Sequence, residues 1–156
     1  TVNKENLTFI EEIEVRESSS TKEQMLIIRP LGKTENKLNI LFSKFNMKNT
    51  YIEETVLGKT FRIGPDSFFQ INVPMLEAVL KEMQKSLNLN KKEIIADLYC
   101  GIGTFGICLS QYAKEVIGIE SAPCNISFLK SNLKLNKIKN SYTFNHKINS
   151  KHIYFL

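Results

Sequence analysis

No stretch of the 156-residue chain approaches the roughly 20 consecutive apolar residues that a membrane-spanning helix requires, so the sequence predicts no such helix. The first residues, Thr1 to Asn6, are polar and lack the apolar core of a secretion signal. Cysteine is scarce. Cys100, Cys108 and Cys124 make an odd number without metal-ligand spacing, which argues against a disulfide framework or a zinc site. Such thiols suit a reducing, cytoplasmic compartment. Internal repeats are absent. What the chain does have is 42% hydrophobic residues, enough for one real core, and a formal net charge of +5. A mildly basic balance is compatible with a polyanion such as RNA and equally with mere solubility.

The apolar pattern divides the chain. Residues 7–16 and 24–29 read as two strands flanking the polar loop Ser18-Ser19-Ser20-Thr21-Lys22, an antiparallel hairpin. Leu38, Leu41, Phe42 and Phe45 have helical spacing, predicting a short helix over 38–47. Residues 51–57 and 60–63 are extended segments around a Gly58-Lys59 turn. Asn72 as N-cap and Pro74 in the first turn open a helix over 73–88, with Leu76, Val79, Leu80, Met83 and Leu87 on one face. Short apolar runs then alternate with helices: strand 94–99, helix 104–113, strand 115–119, helix 122–136 and strand 141–145. That alternation predicts a parallel sheet with crossover helices. The expected fold class is therefore α/β, with part of a doubly wound, Rossmann-like sheet over residues 73–156 behind a small α+β segment over residues 1–72. The Lys- and Asn-rich stretch from Lys130 to Lys151 reads as a solvated helix face and a poorly ordered tail.

The most informative segment is Asp97-Leu98-Tyr99-Cys100-Gly101-Ile102-Gly103-Thr104-Phe105-Gly106, with Glu120 ending the next apolar run. Gly101, Gly103 and Gly106 fit the G-x-G-x-x-G spacing of dinucleotide sites, a weak match when taken alone. Electrostatics separates two ligands. A dinucleotide would set a doubly negative pyrophosphate over the loop. Asp97 at the strand end would repel it, by roughly 4 kcal/mol per charge pair about 4 Å apart at an effective dielectric of 20. S-adenosylmethionine carries a sulfonium and an ammonium, which a carboxylate favours. Glu120 can accept ribose hydroxyls in either case, so it supports a nucleoside without choosing between a methyl donor and NAD. The plainer readings are a turn or capping acid for Asp97 and a solvated strand-end charge for Glu120.

Phe61-Arg62-Ile63-Gly64-Pro65-Asp66-Ser67-Phe68-Phe69-Gln70-Ile71-Asn72, followed by the glycine loop and Val116-Ile117-Gly118-Ile119-Glu120, resembles the RNA uracil-5-methyltransferases over roughly residues 51–145. The S-F-F-Q-x-N segment is the more specific part, because methyltransferases in general share the loop. The resemblance implies S-adenosylmethionine as cofactor, a tRNA or rRNA substrate, and transfer to C5 of uridine. It implies cofactor contacts from Gln70, Tyr99, Thr104 and Glu120, beside Asp97, Gly101 and Gly103. Without the family, Gln70 is a capping or loop residue, and Phe68 and Phe69 are ordinary core.

The family's cysteine nucleophile lies in a later Ser-Cys-Asn-Pro-like motif, attacks C6 of the uracil and so activates C5; a base then removes the C5 proton. Neither that motif nor the family's Asp-Pro-Pro-Arg-like motif occurs here. Ala122-Pro123-Cys124-Asn125 imitates it but opens the helix after Glu120, so no catalytic residue is assigned. Cys100 and Cys108 read as packing residues. His146 and His152 read as surface residues. Asn145-His146-Lys147 stands where an acidic adenine contact is common. The chain is expected to be a truncated, incomplete or degenerate copy of the fold. A binding module that transfers no methyl group is the competing functional class, and an NAD-dependent oxidoreductase is less favoured because of Asp97.

Overall fold

The computed structural model describes residues 10–30 and 50–148. Strands β1 (Ile10–Glu17) and β2 (Gln24–Pro30) pair antiparallel, as do β3 (Ile52–Val56) and β4 (Lys59–Ile63). The helix expected over 38–47 and the first residues of the strand expected from residue 7 lie outside the described residues. Val56 already pairs with Lys59, so the second turn is Leu57-Gly58, one residue earlier than the sequence suggested. Both residues adopt left-handed φ, +47° and +73°. A two-residue turn of that hand follows the natural twist of its strands.

Helix α1 (Val73–Ser86) starts where expected: the Asn72 side chain accepts the Met75 N–H at 3.1 Å, and Pro74 sits in the first turn, where its missing N–H costs nothing. Leu76 and Leu80 are buried and Met83 packs on the core. Val79 and Leu87, assigned to the same face, are instead 42% and 52% exposed. The apolar stripe of α1 is wider than the surface it meets.

From residue 94 the chain alternates: β5 (Ile94–Leu98), α2 (Thr104–Leu109) continued by a 3-10 turn at Ser110–Tyr112, β6 (Glu115–Glu120), α3 (Pro123–Leu135) and β7 (Ser141–Asn145). The three strands form one parallel sheet in the order β5-β6-β7. The expected α/β class and parallel sheet are therefore present, and two antiparallel hairpins precede them. The core joins both parts: Val56, Phe61 and Ile63 from the second hairpin cluster with Leu76, Leu80, Ile102, Ile107 and Leu129.

Two asparagines hold this junction. On α3, Asn132 and Asn136 stand one turn apart and therefore on the same face. Asn132 Oδ1 accepts the Arg62 N–H at 2.8 Å, and its Nδ2 donates to Arg62 O and to Ile102 O, each at 3.2 Å. Asn136 repeats the pattern on Thr60, accepting its N–H at 2.9 Å and donating to its carbonyl at 2.7 Å. The helix thus supplies side-chain amides where a neighbouring strand would supply backbone. Asn140 Nδ2 donates to the carbonyls of Ser110 and Ala113, at 2.9 and 3.1 Å. The Asn-rich stretch is therefore not a solvated face: Asn132 is fully buried.

Replacing Asn132 by Leu leaves Arg62 N–H and the carbonyls of Arg62 and Ile102 without this partner. The expected loss is about 2–4 kcal/mol. Urea unfolding checks it, with exposed Lys134→Ala as a control expected within about 0.5 kcal/mol of the parent.

Candidate functional site

β5 and β6 end side by side at the carboxyl edge of the sheet, the edge where open α/β folds bind ligands. The turn leaving β5 is built from left-handed residues: Tyr99 at φ +59°, Gly101 at +55° and Gly103 at +88°. Gly103 caps α2 and cannot carry a side chain, since a Cβ there would lie 2.3 Å from Leu129 Cδ1. Gly101 is different. A Cβ on it would meet no atom within 4 Å, so its backbone faces open space. Tyr99 is 67% exposed beside it, a bulky residue in a conformation that costs it about 1–2 kcal/mol. Thr104 is the first residue of α2 and half-buried.

Asp97 is half-buried, and its Oδ2 accepts the Gly106 N–H at 2.9 Å, in the first turn of α2. Gly106 is tight for this reason, because a Cβ there would sit 3.0 Å from that oxygen and from Val116 Cγ1. Burial raises the Asp97 carboxyl above the ordinary aspartate value, and the Gly106 bond opposes the rise. Oδ1 makes no hydrogen bond among the described residues.

Glu120 is buried rather than solvated. Its Oε2 accepts the Gly101 N–H at 3.0 Å, while Oε1 accepts those of Ser121 at 2.6 Å and Ala122 at 2.8 Å. Burial alone would raise its pKa. The donated N–H groups of Ala122, Ser121 and Gly101, with the Asn125 side chain, outweigh it and hold the carboxyl below the ordinary glutamate value. Asn125, which the sequence reading passed over, stands beside this group with its buried Oδ1 lacking a partner among the described residues. An Asn in the first turn after a strand-end acid is the signal that could have marked it.

The structure thus gathers Asp97, Tyr99, Gly101, Gly103, Thr104 and Glu120 around one turn. Gln70 lies elsewhere, on a cleft of about 330 Å³ lined also by Glu14, Arg16, Glu54, Ser67 and Phe68 but by none of the loop residues. Arg16 closes one wall by donating to Ser67 O at 2.7 Å, and Glu54 fixes the hairpin loop through the Ser19 and Ser20 N–H groups at 2.6 and 3.1 Å. Phe69 packs toward Phe61, with ring centres 6.2 Å apart. Phe68, expected in the core, is 75% exposed. Consecutive residues of an extended segment point to opposite sides, so only one of the pair can face inward.

The cysteines separate clearly. Cys100 lies buried beneath the loop, its thiol pushed up to about 12 by burial and by the charges of Asp97 and Glu120. Burial pushes Cys108 up to about 12 as well. Cys124 is exposed in the first turn of α3. Among the described residues no helix is long and apolar enough to cross a membrane.

Comparison with known proteins gives this geometry a context. The family described as the TRM5/TYW2 methyltransferase domain matches residues 76–150. An uncharacterized RNA methyltransferase of Lactobacillus johnsonii is 37% identical over 106 residues, 68% of this chain and 22% of that protein. The tRNA (uracil-5-)-methyltransferase homolog A of Homo sapiens is 37% identical over 89 residues, 57% of this chain and 14% of that protein. The chain therefore spans less than a third of these relatives. Among solved structures, a Pyrococcus abyssi tRNA (uracil-54, C5)-methyltransferase in complex with S-adenosyl-L-homocysteine superposes with a TM-score of 0.68 at 21% identity, covering 87% of this chain and 39% of that one. At that identity the likeness is one of fold. The chain is a relative of RNA methyltransferases and has a methyltransferase-type α/β fold.

The two acids give opposite pH signatures. Glu120, depressed in the folded state, contributes stability that is present above its unfolded value and lost as pH falls through the folded one. Asp97, raised in the folded state, disfavours folding as pH rises through its window. Glu120→Gln is expected to cost about 1.5–3 kcal/mol at pH 7. That gap should close on acidification, whereas the parent should gain on Asp97→Asn; urea unfolding at stepped pH reads both.

Proposed function

We propose that this relative of RNA methyltransferases binds S-adenosylmethionine at the turn after β5 and forms the cofactor-binding part of an enzyme that methylates C5 of uridine in tRNA or rRNA. The observation that carries the reading is the pair of carboxylates, Asp97 and Glu120, placed on either side of a backbone turn that opens to solvent at Gly101. The residues present fit the group. A negatively biased turn favours a sulfonium nucleoside over a pyrophosphate, and the open side of Gly101 leaves room for it. When bound, the cofactor supplies an electrophilic methyl group. Asp97 would use its free Oδ1 toward the cationic amino acid end, and Glu120 would use the remaining acceptor capacity of Oε2 toward ribose hydroxyls. Tyr99 would lie against the nucleoside, and Gly103 and Thr104 would shape the turn. Gln70 would reach the cofactor from its own segment.

Support for uridine over another base comes from two sides. The S-F-F-Q-x-N segment over 67–72 lies outside the span matched by the TRM5/TYW2 domain. Two of the similar proteins carry uracil C5 in their names. The RNA partner fits the net charge of +5.

One observation favours a second reading, a module that binds without transferring. A cysteine nucleophile acts as thiolate. Cys100 and Cys108 are buried with thiols near 12, so neither serves. A methylation assay on uridine RNA, run with this chain and with the complete product of its reading frame, separates the two. Activity in the complete product supports the enzyme, and activity in neither supports the module.

Asp97→Asn and Glu120→Gln are each expected to weaken S-adenosylmethionine binding by about 10- to 150-fold, the loss of one hydrogen bond to a charged group worth about 1.5–3 kcal/mol. Titration calorimetry with unfolding curves as the fold control checks this. Unchanged affinity in both variants would refute the site, and a neutral Gln70→Ala would detach the 67–72 segment from it.

A further inference from the structure

The parallel sheet has a covered face and a bare one. Asp97 of β5 and Val116, Gly118 and Glu120 of β6 face α2 and α3: Asp97 and Val116 lie against Gly106, Gly118 lies against Leu129, and Glu120 binds the start of α3. The alternate residues face the other way. They are Ile94, Ala96 and Leu98 on β5, Ile117 and Ile119 on β6, and Tyr142 and Phe144 on β7. Register sets them side by side, with Ala96 beside Ile117, Leu98 beside Ile119, Ile117 beside Tyr142 and Ile119 beside Phe144. None of the seven is buried, and Ile94, Tyr142 and Phe144 are each more than half exposed at 55%, 54% and 54%.

A continuous uncharged face of this kind is unusual on a free-standing protein and marks a contact surface. Parallel sheets are normally covered on both sides, because the crossover helices must lie somewhere. Here the two crossovers, through α2 and α3, both use the same side. The edges add a second argument. Among the described residues β5 has one neighbour, β6, and the chain steps outward from β5 to β6 to β7. The ligand crevice of an open α/β sheet forms where strand order reverses, which requires a strand on each side of the one carrying the turn. β5 carries that turn and lacks the outer strand. The chain also spans 22% of the Lactobacillus johnsonii relative and 39% of the Pyrococcus abyssi structure, so both carry much polypeptide outside the shared part.

We propose that the bare face and free edge of β5 form the docking surface for the remaining part of a methyltransferase fold, a strand–helix segment that adds a parallel strand outside β5 and lays an apolar helix across Ala96, Ile117 and Tyr142. Ala96, the smallest of the seven, lets that helix approach closely. The inference rests on exposure and strand order and is independent of the methyl-donor reading.

The test uses the 156-residue chain, mixed without cofactor with a recombinant polypeptide comprising the rest of the methyltransferase fold of the Lactobacillus johnsonii relative. Sedimentation should show a one-to-one complex, and hydrogen exchange at the outward amides of residues 94–98 should slow at least tenfold. Ile117→Lys and the more exposed Tyr142→Glu should each abolish the complex, while Ser127→Lys on the outer face of α3 leaves it intact. The proposal is overturned by a homodimer of the chain closing over β5, by no complex, by β5 amides equally slow in the chain alone, or by a complex indifferent to both face substitutions.

Discussion

Everything that positions the candidate site depends on an edge strand being completed by side chains. β4 exposes alternate N–H and C=O groups to the side away from β3, and unpaired groups of this kind are costly when buried. Asn132 and Asn136 answer Arg62 and Thr60 residue for residue, so the one-turn spacing on α3 matches the two-residue spacing on β4. Asn132 also holds Ile102 O inside the glycine turn. A single amide therefore ties hairpin, helix and turn together. The segment leading from β4 to Gln70 starts from that anchored strand, which fixes its origin relative to the sheet edge.

The charge pattern around the turn also has a structural side. Asp97 engages the first turn of α2 through one oxygen only. The capping role and the ligand role are compatible, since a carboxylate offers about four acceptor positions. Glu120 is more committed. Its three backbone donors shape the turn at Gly101 and the start of α3, where Ala122 offers no side-chain cap of its own. The acid that would recognise the nucleoside also organises the two loops around it. Loss of either acid therefore reaches the backbone as well as the ligand, which is why conservative amides are the informative replacements.

What was legible in the sequence was local. Apolar runs and capping residues placed β5, β6, β7 and the helices between them within a few residues, because period and caps are properties of neighbouring positions. The glycine turn was legible for the same reason: Gly103 has no alternative at φ +88° with Leu129 overhead. The rest depends on what lies across the fold. The buried Asn132 reads as polar and solvated until β4 is set against it. Phe68 and Val79 read as core until the surface they would need is found absent among the described residues. The turn at Leu57-Gly58 slipped by one because Leu57 adopts a left-handed conformation that its side chain disfavours.

Cys100 and Cys108 are shut away with thiols that stay protonated at any working pH, and Cys124 stands in the open at the start of α3. A maleimide dye added to the folded protein has one address. It lies just beyond the acid that closes β6, so the native chain already carries a single-point fluorescent reporter beside the turn, without a cysteine being added or removed.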